Sequence, residues 1–278
     1  MSIEWNANLR SRIVIGFSGG VLLMFVAYAG GWYFWGFVLL LTLLSLYELQ
    51  IMGSNIGFRK INIIPYIFAA AALLDMYWYT ASHLYLLIVA YIFFEMIAAL
   101  FLYRENQLFE SSYTLFTTLY AVLFSGSLVL LRQMRFSGNS TAGYKVIWCI
   151  FLGIWVLDTA AYFVGKSIGR QKLFPEISPK KTVEGGTAGL CGALVLVIVS
   201  KYIYFNELRL SDVVIIGIII GIFGQIGDAV ESFIKRKTGV KDSSSVLPGH
   251  GGILDRFDSL IFVSPFIYFY VKYFSGLF

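Results

Sequence analysis

Charge is what this chain has least of. Asp, Glu, Lys and Arg make up 13% of its 278 residues, about half the roughly 25% of an ordinary soluble domain. So few charges cannot cover a water-facing surface, which argues against a soluble α/β enzyme. Disorder demands low hydrophobicity and high charge, whereas 58% of these residues are hydrophobic and the mean hydropathy is +0.77. Cysteine is scarce as well. Cys149 and Cys191 both lie in apolar runs, so neither a disulfide framework nor a zinc-ligand pattern can be drawn. Strict apolar/polar alternation is missing, which counts against an outer-membrane barrel. No internal repeat of the kind many transporters carry is evident. What remains is an all-α, polytopic helical membrane protein.

A membrane-crossing helix needs about 20 mostly apolar residues. Nine segments qualify: 13–30, 32–49, 61–79, 84–102, 112–131, 145–165, 187–205, 212–234 and 254–274. The third is interrupted by Pro65 and Asp75. Ala27-Tyr28-Ala29 resembles a signal cleavage site, but a second apolar run follows at once, so the first segment reads as a retained span. With nine spans, fourteen of the 21 Lys and Arg residues fall on one side, six on the other, and Arg256 lies just inside the last span. The positive-inside rule puts the N-terminus and the basic loops in the cytoplasm and the C-terminus outside. The net charge of +5 is thereby explained by topology and anionic ligands, and no nucleic-acid partner is implied. Residues 1–143 form a run of apolar helices, about five spans. Residues 144–278 carry two longer polar segments, 166–186 and 235–253, both on the expected cytoplasmic side.

The chemistry concentrates between 228 and 258. Asp228, Glu231 and Ser232 share a helix face. Lys235, Arg236, Lys237, Lys241 and Asp242 follow; Gly249, Gly251 and Gly252 then flank His250, and Asp255, Arg256 and Asp258 open the last span. Asp255 and Asp258 are three residues apart and project to one side of a helix. Ionised carboxylates near a membrane core are costly unless paired or metal-bound, and one or two carboxylates beside phosphates are the usual setting for Mg²⁺. A glycine-rich turn leading into a helix N-terminus suits an anion. Taken singly, the basic run also fits a topological anchor, and the aspartates fit structural pairing with Arg256 or the preceding lysines.

Residues 232–258, SFIKRKTGVKDSSSVLPGHGGILDRFD, resemble the signature of the CDP-diacylglycerol synthases (phosphatidate cytidylyltransferases). The family form is Ser, three residues, Lys-Arg, four residues, Lys or Arg then Asp, and later Pro-Gly-His-Gly-Gly, a spacer and Asp-Arg-x-Asp. Ser232, Lys235-Arg236, Lys241-Asp242, Pro248 to Gly252, Asp255-Arg256 and Asp258 meet every fixed position. Residues 178–185, SPKKTVEG, and 155–165, WVLDTAAYFVG, with Asp158 and Tyr162, resemble two further family segments. The resemblance covers roughly 150–278.

The resemblance implies a reaction, in which CTP and phosphatidic acid give CDP-diacylglycerol and pyrophosphate with Mg²⁺ required. It implies Asp228, Asp255 and Asp258 as metal ligands, three carboxylates leaving room for a second metal ion. Lys235, Arg236, Lys241 and Arg256 become phosphate-binding candidates, with His250 contacting a phosphate or supporting the turn. Ser178, Lys181, Thr182 and Glu184, together with Ser232, Asp242, Gly249, Gly251 and Gly252, are assigned to substrate binding. Asp158, read as buried in a span, is functional by default. Glu48, Asp75 and Glu95 read as helix-pairing or interfacial residues. A homodimer and the surrounding membrane lipids are further partners, the dimer by resemblance alone. The rival readings are a CTP-dependent lipid kinase, a transporter and an inactive scaffold; the Asp-Gly-x-x-Ala-Arg signature of CDP-alcohol phosphotransferases is missing.

Overall fold

A computed structural model describes residues 18–59, 61–102, 106–135, 143–244 and 251–275. Among them are nine helices: α1 (Ser18–Ala29), α2 (Gly31–Ser54), α3 (Ile64–Tyr79), α4 (Leu84–Leu102), α5 (Gln107–Gln133), α6 (Gly143–Ile168), α7 (Val183–Ile203), α8 (Leu210–Lys237) and α9 (Leu254–Tyr273). The chain is an all-α polytopic membrane protein. Six helices, α2 and α4 to α8, are long and apolar enough to cross a membrane. α1 and α3 are shorter, and α9 opens with Asp255, Arg256 and Asp258. Six of the nine expected spans are thus met by helices long enough to cross; 84–102 coincides with α4, and α5 begins five residues before the expected 112.

Two short strands depart from an all-helical reading. β1 (Lys172–Phe174) and β2 (Ser178–Thr182) pair antiparallel within the polar segment between α6 and α7. Thr182 ends the hairpin and starts α7, its Oγ1 accepting from Gly185 N–H at 3.2 Å. Such a cap satisfies one of the donors that a helix start leaves open. Glu184 closes the base of the hairpin by accepting from the backbone N–H groups of Arg170 (3.0 Å) and Gln171 (3.3 Å).

In lipid, helices associate through close packing, and small residues permit it. A Cβ on Gly189 would lie 3.0 Å from the Leu157 carbonyl oxygen, and one on Gly221 would lie 2.2 Å from Leu190 Cδ1. α7 therefore lies tight against both α6 and α8. Gly227 does the same for α8 and α9, since its Cβ would stand 2.6 Å from Phe262 Cβ. Ser259 Oγ donates to the Gly224 carbonyl at 2.9 Å across the same seam. By contrast α4 buries only Tyr91 and Glu95 among its 19 residues, the composition of a helix that faces lipid.

One end of the α6–α9 group is closed by paired charges. Lys145 meets Glu207 at 2.6 Å. Asp212 accepts from Arg209 N–H (2.8 Å) and Tyr270 OH (2.7 Å), and Lys201 donates to the Leu208 carbonyl. The other end carries the hairpin, the end of α8 and the start of α9.

Candidate active site

The start of the site is a helical period. Asp228, Glu231, Ser232 and Lys235 recur at spacings of three and four on α8, so they line one stripe. α9 crosses that stripe at Gly227 and presents Asp258. Carboxylate oxygens of Asp228, Glu231 and Asp258 all lie within 4.8 Å of one another. Glu231 and Asp258 are buried, while Asp228 is about one-third open, at 33%.

Each acid has a distinct set of partners. Asp228 Oδ2 is 2.5 Å from Lys181 Nζ on β2, and its Oδ1 accepts from Ser232 Oγ at 3.2 Å. Asp258 Oδ1 accepts from Ser259 N–H at 2.6 Å. Glu231 Oε2 is 2.5 Å from Lys235 Nζ. Its Oε1 is buried without a hydrogen-bond partner. Asp158 on α6 is within electrostatic reach of Asp228, Asp258 and Lys181. It lies within the candidate span α6, as its place in an apolar run had suggested.

Asp255 does not join the group of three. Its Oδ1 takes the Lys235 ammonium at 2.5 Å. Its Oδ2 accepts from Gly252 N–H (2.8 Å), Ser243 N–H (3.0 Å) and Ser243 Oγ (2.9 Å). Both oxygens are thus spent on the segments that flank the α8–α9 connection. From the first turn of α9 Asp255 reaches back to Gly252, just before the helix, and to Ser243, which follows α8.

Lys235, a phosphate-binding candidate in the sequence, is turned inward. It is 8% exposed and bridges Glu231 and Asp255. A buried ammonium needs such partners. Arg236, Lys237, Lys241, Asp242 and Arg256 are exposed, with Arg236 Nη1 donating to the Val240 carbonyl at 3.1 Å. Ser178 is half-buried at the start of β2, whereas Thr182 and Glu184 are occupied in shaping the hairpin that carries Lys181. Gly251 adopts φ +80°, and Gly252 packs against Ser243 and Glu48. Gly249 and His250 lie outside the described residues.

Two residues gain importance from the structure. Glu231 had been noted beside Asp228 without a ligand role; its i+3 spacing was the available signal. Glu48 had been read as a helix-pairing residue, yet it reaches the start of α9. Size alone does not mark the site. A cavity of about 510 Å³ opens elsewhere, lined by Trp35, Tyr77, Trp78 and Arg132. The Arg132 guanidinium there is engaged on the carbonyls of Ala27 and Tyr28.

The donor set fits a hard divalent cation. Asp158, Asp228, Glu231, Asp255 and Asp258 act electrostatically on one another or through shared lysines, and the described lysines paired with them are Lys181 and Lys235. Negative charge is in excess, all the close ligand atoms are carboxylate oxygens, and one buried oxygen has no protein donor. Mg²⁺ takes such ligands and retains water or phosphate in its remaining positions.

Comparison with known proteins gives a consistent picture. The model of the cytidylyltransferase family matches residues 10–274. The chain is 34% identical over 282 aligned positions to a phosphatidate cytidylyltransferase of Bacillus subtilis (strain 168), covering 96% of this chain and 99% of that protein. It is 36% identical over 256 positions to one of Staphylococcus haemolyticus (strain JCSC1435), covering 90% and 89%. A Staphylococcus saprophyticus protein of the same name is 51% identical over 126 positions, 45% of this chain and 48% of its own length.

Proposed function

The chain belongs to the cytidylyltransferase family, and from that premise we propose that it transfers the cytidylyl group of CTP to phosphatidic acid, giving CDP-diacylglycerol and pyrophosphate. The observation that carries this reading is the convergence of Asp228, Glu231 and Asp258 beside Lys181 at one end of a membrane bundle. Both substrates are anionic, and a phosphate monoester is already ionised near pH 7. The lipid phosphate oxygen attacks the α-phosphorus of CTP, the bond to the β-phosphate oxygen breaks, and pyrophosphate leaves. No strong base is required. The task of the protein is to position two polyanions and lower their repulsion.

Asp228, Glu231 and Asp258 would hold Mg²⁺, which supplies neutralisation of phosphate charge when bound. Lys181, on β2, pairs with Asp228 and is placed to receive a phosphate oxygen. Arg236, Lys241 and Arg256 are exposed and draw in anions. Lys235 and Asp255 hold Glu231 and the start of α9 in place. The basic residues gather at this end, so the positive-inside rule sets it in the cytoplasm, with the N-terminus on that side and the C-terminus opposite. In a bacterial cell this is the inner (cytoplasmic) membrane.

The test is a product assay with purified protein in detergent, labelled CTP and phosphatidic acid, with and without Mg²⁺. CDP-lipid and pyrophosphate in equal amounts, formed only with Mg²⁺, are expected. A phospholipid plus CDP made from diacylglycerol would show a lipid kinase instead.

A further inference from the structure

The start of α9 has a problem that its own sequence does not solve. Ile253 occupies the N-cap position and offers no side-chain acceptor, although the first N–H groups of a helix have no intrahelical partner. The acceptor comes from α2. Glu48, fully buried at 0% exposure, accepts from Ile253 N–H at Oε1 (2.8 Å) and from Leu254 N–H at Oε2 (2.9 Å). The same two oxygens accept from Ser244 Oγ (2.6 Å) and Ser243 Oγ (2.8 Å). A negative carboxylate at a helix N-terminus also meets the positive end of the helix dipole.

These contacts reach the acidic group by a short path. Ser243 Oγ stands 2.8 Å from Glu48 and 2.9 Å from Asp255 Oδ2; having one proton, the hydroxyl donates to Glu48, while the Ser243 backbone N–H holds Asp255 at 3.0 Å. Asp255 pairs with Lys235, and Lys235 pairs with Glu231. Leu254, whose N–H Glu48 holds, lies one turn before Asp258. Gly252 is fitted to this arrangement, because a Cβ there would lie 2.5 Å and 2.7 Å from the Glu48 oxygens and 1.8 Å from Ser243 Oγ.

We propose that Glu48 is a positioning residue for the reaction, which fixes the start of α9 and the Ser243-Ser244 segment so that Asp258 meets Asp228 and Glu231. The proposal rests on the cytidylyl-transfer reading for its activity arm. On this account the N-terminal helices supply a part of the catalytic apparatus, and the signature in the C-terminal half is incomplete without α2.

The experiment compares Glu48→Gln and Ser244→Ala with the parent as full-length protein in detergent. Glu48→Gln keeps shape but turns an acceptor into a donor facing an N–H or O–H. Its predicted effect is a fall in kcat and a rise in half-saturating Mg²⁺, each about 10–100-fold, the range for residues that orient metal ligands. The KM for CTP at saturating Mg²⁺ changes less than about twofold, where a general loss of structure would lower the active fraction without shifting the metal requirement. Mn²⁺ binding measured by electron paramagnetic resonance without substrates weakens in parallel. Ser244→Ala removes one of four donors and keeps the carboxylate, so it gives a smaller shift in the same direction and serves if Glu48→Gln does not fold. Parent-like kcat, Mg²⁺ requirement and Mn²⁺ affinity in either folded variant would overturn the proposal. A parent protein that makes no CDP-lipid would instead refute the proposed reaction, and the Mn²⁺ comparison would still judge Glu48.

Discussion

Replacing Lys235 by methionine separates two accounts of the signature. In the sequence the residue stands in a Lys-Arg-Lys run and reads as a binder of phosphate. In the fold it is 8% exposed, with Nζ 2.5 Å from both Glu231 Oε2 and Asp255 Oδ1. Methionine keeps the stem and removes the charge, leaving two buried carboxylates beside one another. Breaking a buried ion pair from one side costs about 3–5 kcal/mol, because the remaining charge is uncompensated. At about 2–4 °C per kcal/mol for a chain of roughly this size, the melting temperature falls by about 6–20 °C. Size-exclusion chromatography after a heating series, read by tryptophan fluorescence, measures this directly. Arg236→Met, one residue along and exposed, is the control and should melt within about 2 °C of the parent. A Lys235→Met protein that keeps its melting temperature and only raises the KM for CTP would refute the structural role and restore the phosphate-binding one.

Asp258→Asn removes a carboxylate from the group of three without changing packing volume, so turnover should fall at least about 100-fold while the protein stays folded; near-normal turnover would remove Asp258 from the site. Gly227→Ala drives a Cβ to 2.6 Å from Phe262 Cβ and 3.2 Å from the Asp258 carbonyl. It should destabilise by about 1–3 kcal/mol, the usual cost of overpacking, and lower activity with it. An unchanged melting curve would show that the α8–α9 seam is looser than described.

The helical frame was legible because it depends on long apolar runs, and such runs leave few alternatives in a membrane. α4 could be read to the residue. The hairpin at 172–182 was not, since β1 has three residues, too few for any alternation to register. Asp228 and Asp258 were named as metal ligands through the family resemblance, whereas the pair that the spacing itself offered was Asp255 and Asp258. The inward turn of Lys235 was available from its i+4 spacing to Glu231, but the neighbouring Arg236 and Lys237 made the run look like one solvated patch. Asp255 and Asp258 lie three apart, which placed them on one face. What the spacing did not show is that Asp255 reaches back to the segments on either side of the α8–α9 connection, to Gly252 and Ser243. Glu48 stood out as an acid in an apolar run, but nothing local tied it to the site. Its partners lie 195 to 206 residues away in the chain, and only the fold brings them together.

The central claim is that Asp228, Glu231 and Asp258 together hold a divalent cation. Mn²⁺ binding to the parent and to Glu231→Gln, measured by electron paramagnetic resonance in the absence of CTP and lipid, tests it most directly. The account predicts saturable binding in the parent and an affinity at least about tenfold lower in the variant. Equal affinity in the two folded proteins would contradict it.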